Sequence, residues 1–170
     1  RSEFYDGKWR YEDCTPHSIF LTQAGYPLKG VHQLFKALPL IERDYPDVKV
    51  KIAGNKMVSH EGLKNILYSQ TYGKYLRKLI HGLHLENIIE FIGPQNARGM
   101  RENLLQANVF VSPSSIENSP NSVCEAQLLG VPVVASYVGG VPDFIPTNDF
   151  GLTYRFDDVE MLASKVCEMF

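Results

Sequence analysis

Along most of this chain, short apolar runs alternate with stretches whose apolar residues recur every three and four positions. That alternation restricts the fold more than any other feature of the sequence. The runs "SIFLTQA" (18–24), "VKVKIAG" (48–54), "NIIEFIG" (87–93), "NVFVSPS" (108–114), "VPVVASY" (131–137) and "GLTYRF" (151–156) are rich in Val, Ile and Phe, as strands are. Between and after them, "VHQLFKALPLIERD", "KYLRKLIHGLHL", "RGMRENLLQA", "NSVCEAQLLG" and "DVEMLASKVCEMF" carry helical spacing with one apolar face each. Strand and helix in turn predict an α/β fold: a doubly wound, mostly parallel sheet of six strands with helices on both faces. Ligands of such sheets sit outside the carboxyl ends of the strands, so function is expected in the loops that leave strands.

Composition sets the bounds. With 170 residues, 44% of them hydrophobic and 21% charged, the chain can bury the core of one domain. A formal net charge of -2 supplies no bulk attraction to nucleic acid, which is not expected as a partner; contact with a membrane is expected to be peripheral at most. No run approaches the roughly 18 consecutive apolar residues of a spanning helix, and "RSEFYDGKWRYEDC" lacks the apolar centre of a signal peptide. Cys14, Cys124 and Cys167 are odd in number and far apart, which argues against a disulfide framework and for a reducing compartment, with the cytoplasm as the expected location.

Two segments depart from the alternation. The lead, residues 1–17, sets Phe4, Tyr5, Trp9 and Tyr11 among charges without periodicity. It reads as the remnant of an interdomain linker that packs on a domain absent here, with residues 18–170 forming the domain. The stretch "NKMVSHEGLKNILYSQTYG" (55–73) exceeds the usual strand-to-helix loop and implies either an extra helix or a mobile excursion.

Among the strand-leaving loops, "QAGYPLKG" (23–30) places Lys29 at the start of a helix. There it can reach a phosphate held over free helix amides, or simply stand solvated beside a turn. Neither G-x-x-x-x-G-K-S/T nor G-x-G-x-x-G occurs. The loop "IENSPNSVCEAQLLG" (116–130) is more specific. Ser119 is the expected N-cap, Pro120 the first helical residue and Gly130 the end of the helix. Glu117 then precedes the helix, and Glu125 lies about one turn beyond Asn121 and Ser122, on a stripe that continues to Leu128 and Leu129. A carboxylate on a stripe leading to the core is costly unless hydroxyls or amides satisfy it. An anion site of amides with a hydroxyl-accepting carboxylate on either side suits a nucleotide sugar. A solvated Glu117 and a Glu125 paired to a neighbouring element also satisfy the spacing.

Three elements in order, Lys29-Gly30 after the first strand, Glu117 and Glu125 with seven residues between them, and then "GVPVVASYVGGVPDFI", carry a resemblance. From about residue 18 onward the chain resembles the C-terminal, donor-binding domain of the retaining glycosyltransferases related to glycogen and sucrose synthases. The resemblance implies one Rossmann-like half of a two-domain GT-B enzyme that moves a sugar from a nucleotide diphosphate sugar to an acceptor. The other half would hold most of the acceptor site, whether for a lipid-linked glycan, a polysaccharide or a small molecule. Carried over by position, Lys29 would contact the donor phosphates. Glu117 would bond the transferred sugar's hydroxyls at the reacting face, as the catalytic position. The backbone of Asn118, Ser119, Pro120, Asn121 and Ser122 would cradle phosphate and sugar, and Glu125 would accept from the ribose. No metal and no cofactor beyond the donor substrate is implied, since cations and helix amides neutralise the leaving diphosphate. One departure stands out: the family's arginine a few residues before the lysine falls on Ala24 or Gly25, with Lys56 the candidate substitute.

Other chemistry is weaker. His81 and His84 have metal-ligand spacing, but Gly82 between them marks a helix end, where a cationic histidine suits the helix dipole. Cys124 near a helix start has no histidine to activate it and reads as a packed residue. The alternatives to a glycosyltransferase half are a noncatalytic nucleotide-sugar or phosphate binding module and half of a nucleotide-sugar epimerase. A receiver-like domain would need acidic residues at the ends of the early strands, and "FLTQA" and "KIAGN" lack them.

Overall fold

In the computed structural model of the chain, residues 2–22, 25–54 and 63–170 are described, residues 63–70 as backbone only. All six apolar runs form strands: β1 (Ser18–Thr22), β2 (Lys49–Ala53), β3 (Ile89–Gly93), β4 (Val109–Ser112), β5 (Val133–Ser136) and β6 (Leu152–Tyr154). Every pairing is parallel, and the order across the sheet is β3-β2-β1-β4-β5-β6. This is the Rossmann-like, doubly wound arrangement. The helices are α1 (Val31–Asp44), α2 (Leu63–Gly82), α3 (Ala97–Gln106), α4 (Asn121–Leu129), a single turn α5 (Val141–Phe144) and α6 (Val159–Met169). Their ends follow local chemistry. Asn96 accepts from the Gly99 amide at 2.8 Å to start α3, Asp158 accepts from the Met161 amide at 2.8 Å to start α6, and Gly130, at φ 78°, turns the chain out of α4.

Strand residues alternate between two cores. Ile19, Leu21, Val109, Val111 and Val134 face one side, where Leu34, Phe35, Leu38 and Ile41 of α1 and Leu162 and Val166 of α6 pack on them. Phe20, Phe110, Val133 and Ala135 face the other, against Leu104 of α3 and Val123, Ala126 and Leu129 of α4. A sheet covered on both faces needs apolar residues at successive positions, which is why β4 and β5 are buried throughout. No described helix is long and apolar enough to cross a membrane.

The aromatic lead departs from expectation. It packs on this domain: Phe4 is buried in the second core, and the Trp9 indole N–H donates to the Ala107 carbonyl at 2.8 Å. The Trp9 amide donates to the Leu129 carbonyl at 2.7 Å, and the Arg101 guanidinium donates to the Asp6 carbonyl. The lead has no periodicity because two single side chains and a few backbone bonds hold it, with no repeating face. Of the long stretch 55–73, residues 63–73 are the first turns of α2 itself, and residues 55–62 lie outside the described residues.

Candidate functional site

β1 and β4 are neighbours, but the chain leaves β1 toward β2 on one side and leaves β4 toward β5 on the other. Their outgoing loops therefore diverge and open a crevice at the carboxyl edge, where doubly wound sheets bind ligands. Of the two stretches singled out from sequence, 23–30 and 116–130, the described residues 25–30 follow β1, and the start of the second, residues 116–120, follows β4 at this edge.

They bring Lys29 and Glu117 together. The Lys29 Nζ donates to Glu117 Oε2 at 2.8 Å across 88 positions of sequence, and the Ser114 hydroxyl donates to the same oxygen at 3.3 Å. Lys29 closes a 3₁₀ turn, Pro27–Lys29, that the proline starts; Gly30 follows in the left-handed region at φ 67° as the N-cap of α1. A side chain at Gly30 cannot fit, because its Cβ would stand 1.6 Å from the Pro113 carbonyl oxygen. The loops are stitched further where the Ser115 amide and hydroxyl both donate to the Leu28 carbonyl, at 2.8 and 3.2 Å. The Lys29 and Glu117 side chains are 29% and 14% exposed, so the pair is shielded yet reachable from solvent.

A third loop fixes Glu117 from behind. After β5, Gly139 sits at φ 52° with its missing Cβ 1.8 Å from the Glu117 carbonyl oxygen, and the Gly140 amide donates to that oxygen at 3.0 Å. The buried Ser136 hydroxyl donates to the Ser114 carbonyl. The roles of Ser114 and of the Gly139–Gly140 pair went unassigned in the sequence. The signal was a glycine doublet directly after a strand, where backbone must approach backbone.

The start of α4 differs by one residue from expectation. Pro120 is the N-cap and Asn121 the first helical residue; Ser119 does not cap, and no side chain does. The Asn121 amide turns back to the Ser119 carbonyl at 2.9 Å, and Pro120 has no N–H. Of the five residues assigned to an amide cradle, Pro120 therefore has no amide to offer and the Asn121 amide is turned to Ser119, which leaves Asn118, Ser119 and Ser122 as the candidate donors. Asn118, Ser119 and Asn121 are exposed.

Glu125 lies one turn into α4 and is half-buried. Of its expected stripe, Leu129 reaches the core and Leu128 does not. The buried positions are Val123, Ala126 and Leu129, whereas Leu128, one turn beyond Glu125, is 50% exposed. Glu125 therefore borders the core instead of pointing at it, which lowers the cost of its charge. Cys124 beside it is a packed thiol whose pKa burial raises, so the helix start does not activate it.

Gly25 is among the described residues of the first loop, whereas Ala24 and the candidate substitute Lys56 lie outside them. α2 does end at Gly82, and His81 there pairs with Glu86 at 3.0 Å on the surface, away from any cluster of ligand type among the described residues.

Comparison with known proteins bears on the family and the fold. The sequence profile described as "Glycosyl transferases group 1" matches residues 13–170. Over 95% of its length the chain is 28% identical to a protein of Corynebacterium glutamicum named GDP-mannose-dependent monoacylated alpha-(1-6)-phosphatidylinositol monomannoside mannosyltransferase, of which it covers 40%. The chain spans less than half the length of the curated relatives it matches. Among solved structures, Anabaena HepE in complex with UDP and glucose superposes with a TM-score of 0.75 at 24% identity, over 88% of this chain and 37% of that one. The C-terminal domain of a glycosyl transferase group 1 family protein from Francisella tularensis superposes with a TM-score of 0.71 at 16% identity, over 99% and 80%.

Proposed function

Because this chain belongs to the glycosyl transferases group 1 family, we propose that it is the donor-binding half of a retaining GT-B glycosyltransferase that takes its sugar from a nucleotide diphosphate sugar. The observation that carries the reading is the meeting of Lys29 and Glu117 at the switch point of the sheet, beside a helix start capped by no side chain. An ammonium and free first-turn amides favour a diphosphate there. Glu117, fixed by three loops, faces the same crevice and accepts from the transferred sugar's hydroxyls. Glu125, one turn further along α4, accepts from the ribose.

In this reading Lys29 and the amides of Asn118, Ser119 and Ser122 spread the charge that builds on the leaving diphosphate. Fixed dipoles aimed at developing charge lower a barrier in this way without a metal ion. The HepE complex with UDP and glucose and the relative named for GDP-mannose support a nucleoside diphosphate donor while differing in base. The acceptor, a lipid-linked glycan, a polysaccharide or a small molecule, belongs to a second domain, and residues 1–17 form the connection to it. One observation favours a noncatalytic binding module instead: the place of the family's phosphate-binding arginine falls on Ala24 or Gly25, neither of which carries a charge.

Isothermal titration of the chain with UDP and GDP in the presence of a chelator tests the donor site. Binding of one of them without metal is expected, and Glu125→Ala should weaken it by about 1 to 3 kcal/mol, the cost of losing hydrogen bonds to a charged group. Absence of binding to either nucleotide overturns the proposal. Unchanged affinity in Glu125→Ala removes its ribose role alone.

A further inference from the structure

In the reading above, Lys29 serves the phosphates of a donor and Glu117 serves its sugar, yet in the free chain each is the other's partner. The Lys29 Nζ stands 2.8 Å from Glu117 Oε2, with the Ser114 hydroxyl 3.3 Å away on the same oxygen. The backbone beneath the pair is fixed. The Glu117 carbonyl is held by the Gly140 amide and pressed by Gly139, the Ser114 carbonyl takes the Ser136 hydroxyl, and Lys29 is followed by Gly30 wedged against Pro113. What can change in this corner is the direction of two side chains.

A diphosphate arriving at Lys29 brings its negative charge beside Glu117, at a place where the pair is only partly screened by solvent. Like charges at that range repel, and the ammonium is drawn to the stronger anion. We infer that the Lys29–Glu117 ion pair couples the two ends of the donor: the diphosphate takes Lys29, and the carboxylate so released turns to the sugar hydroxyls. The coupling rests on the donor-site reading and adds an order to it. A nucleoside diphosphate without a sugar breaks the pair and leaves Glu117 without the hydroxyls that would replace it, so it binds less tightly than the intact donor. Once the sugar has left, Glu117 recaptures Lys29 and helps expel the spent nucleotide. Ser114 keeps one hydrogen bond on the carboxylate in both arrangements.

The sign of the effect makes it testable, because removing a residue of the site should tighten binding. In titrations of the chain with UDP and GDP under chelator, Glu117→Gln is expected to raise affinity roughly three- to tenfold, the release of a partly shielded ion pair. Glu117→Ala gives the same sign if the glutamine variant fails to fold. Repulsion of phosphate by the carboxylate also predicts a gain, so the cycle is completed in a Lys29→Gln background. There the Glu117→Gln gain should shrink to less than about twofold, because no ammonium remains to be released. An equal gain in both backgrounds, or no gain in either, overturns the coupling while leaving the donor site standing. Failure of the unsubstituted chain to bind UDP or GDP instead removes the donor reading on which the coupling rests. If Lys29→Gln binds too weakly to titrate, the carboxyl carbon resonance of Glu117 decides. Saturation with UDP must shift it, and an unshifted resonance overturns the coupling.

Discussion

Alanine at Gly139 is expected to be among the most damaging small substitutions in this domain, and Gly130 supplies its control. Both glycines lie in the left-handed region, at φ 52° and 78°. An L-residue there costs about 1 to 2 kcal/mol whatever surrounds it. They differ in what a Cβ would meet: nothing within 4 Å at Gly130, but at Gly139 the Glu117 carbonyl oxygen at 1.8 Å. A carbon and a carbonyl oxygen settle near 3.3 Å, so one strand of backbone must move by about 1.5 Å. That displacement breaks the 3.0 Å bond from the Gly140 amide to Glu117, worth about 1 kcal/mol, and forces repacking costing about 1 to 3 more. Gly139→Ala should therefore lose about 4 kcal/mol and Gly130→Ala about 1 to 2. Urea unfolding followed by fluorescence of Trp9, the only tryptophan, reads the difference. With a slope near 2.5 kcal/mol per molar urea, the midpoints should fall by about 1.6 M and about 0.6 M. Equal losses in the two variants would refute the claim that the loop after β5 presses on Glu117.

Other expectations follow from single contacts. Phe4→Ala should destabilise the domain by about 3 to 5 kcal/mol in the same assay, because Phe4 is fully buried in the second core; a loss under about 1 kcal/mol would detach the lead from the domain. Tyr154→Phe should be neutral or stabilising by about 1 kcal/mol, since the buried Tyr154 hydroxyl has no hydrogen-bond partner among the described residues; a clear loss of stability would reveal a partner. His32, half-buried against Tyr72, has its pKa lowered by burial and then by Lys36. Its unfolded form takes up a proton first as the pH drops, so its share of stability is present above about pH 6.5 and is lost as the pH falls below that. His32→Gln should flatten this acid-side slope, and an unchanged slope between pH 6.5 and 5 would contradict the assignment.

Much of the architecture was legible because its causes are local. Short apolar runs and a period of 3.6 mark strand and helix without knowledge of partners, and all six strands and four of the five long helices fall where they place them, whereas α2 begins at Leu63, eleven residues before its expected stretch. Helix α1 matches its expected stretch residue for residue. Where expectation slipped, the cause was nonlocal or crowded. Ser119 and Pro120 are both acceptable at a helix start, and the turn of the Asn121 amide onto Ser119 decided between registers one residue apart. That the lead packs on this domain was not legible because its anchors, Phe4 and Trp9, find their partners on α3 and α4, about a hundred residues away.

The sequence by itself determined which residues line the carboxyl edge. Lys29 follows the first strand and Glu117 the fourth, and a parallel sheet puts every such loop at the same end. Only the tertiary structure decided that those two loops are neighbours. The order β3-β2-β1-β4-β5-β6 sets β1 beside β4, and with it a lysine and a glutamate 88 positions apart come to 2.8 Å. Strand order depends on how crossovers and cores close together, a property of the whole chain that no window of residues carries. The glycines that hold the corner share this dependence. A doublet after β5 marks close approach, but the atom approached, the Glu117 carbonyl, is chosen by the packing of three loops from three separate strands.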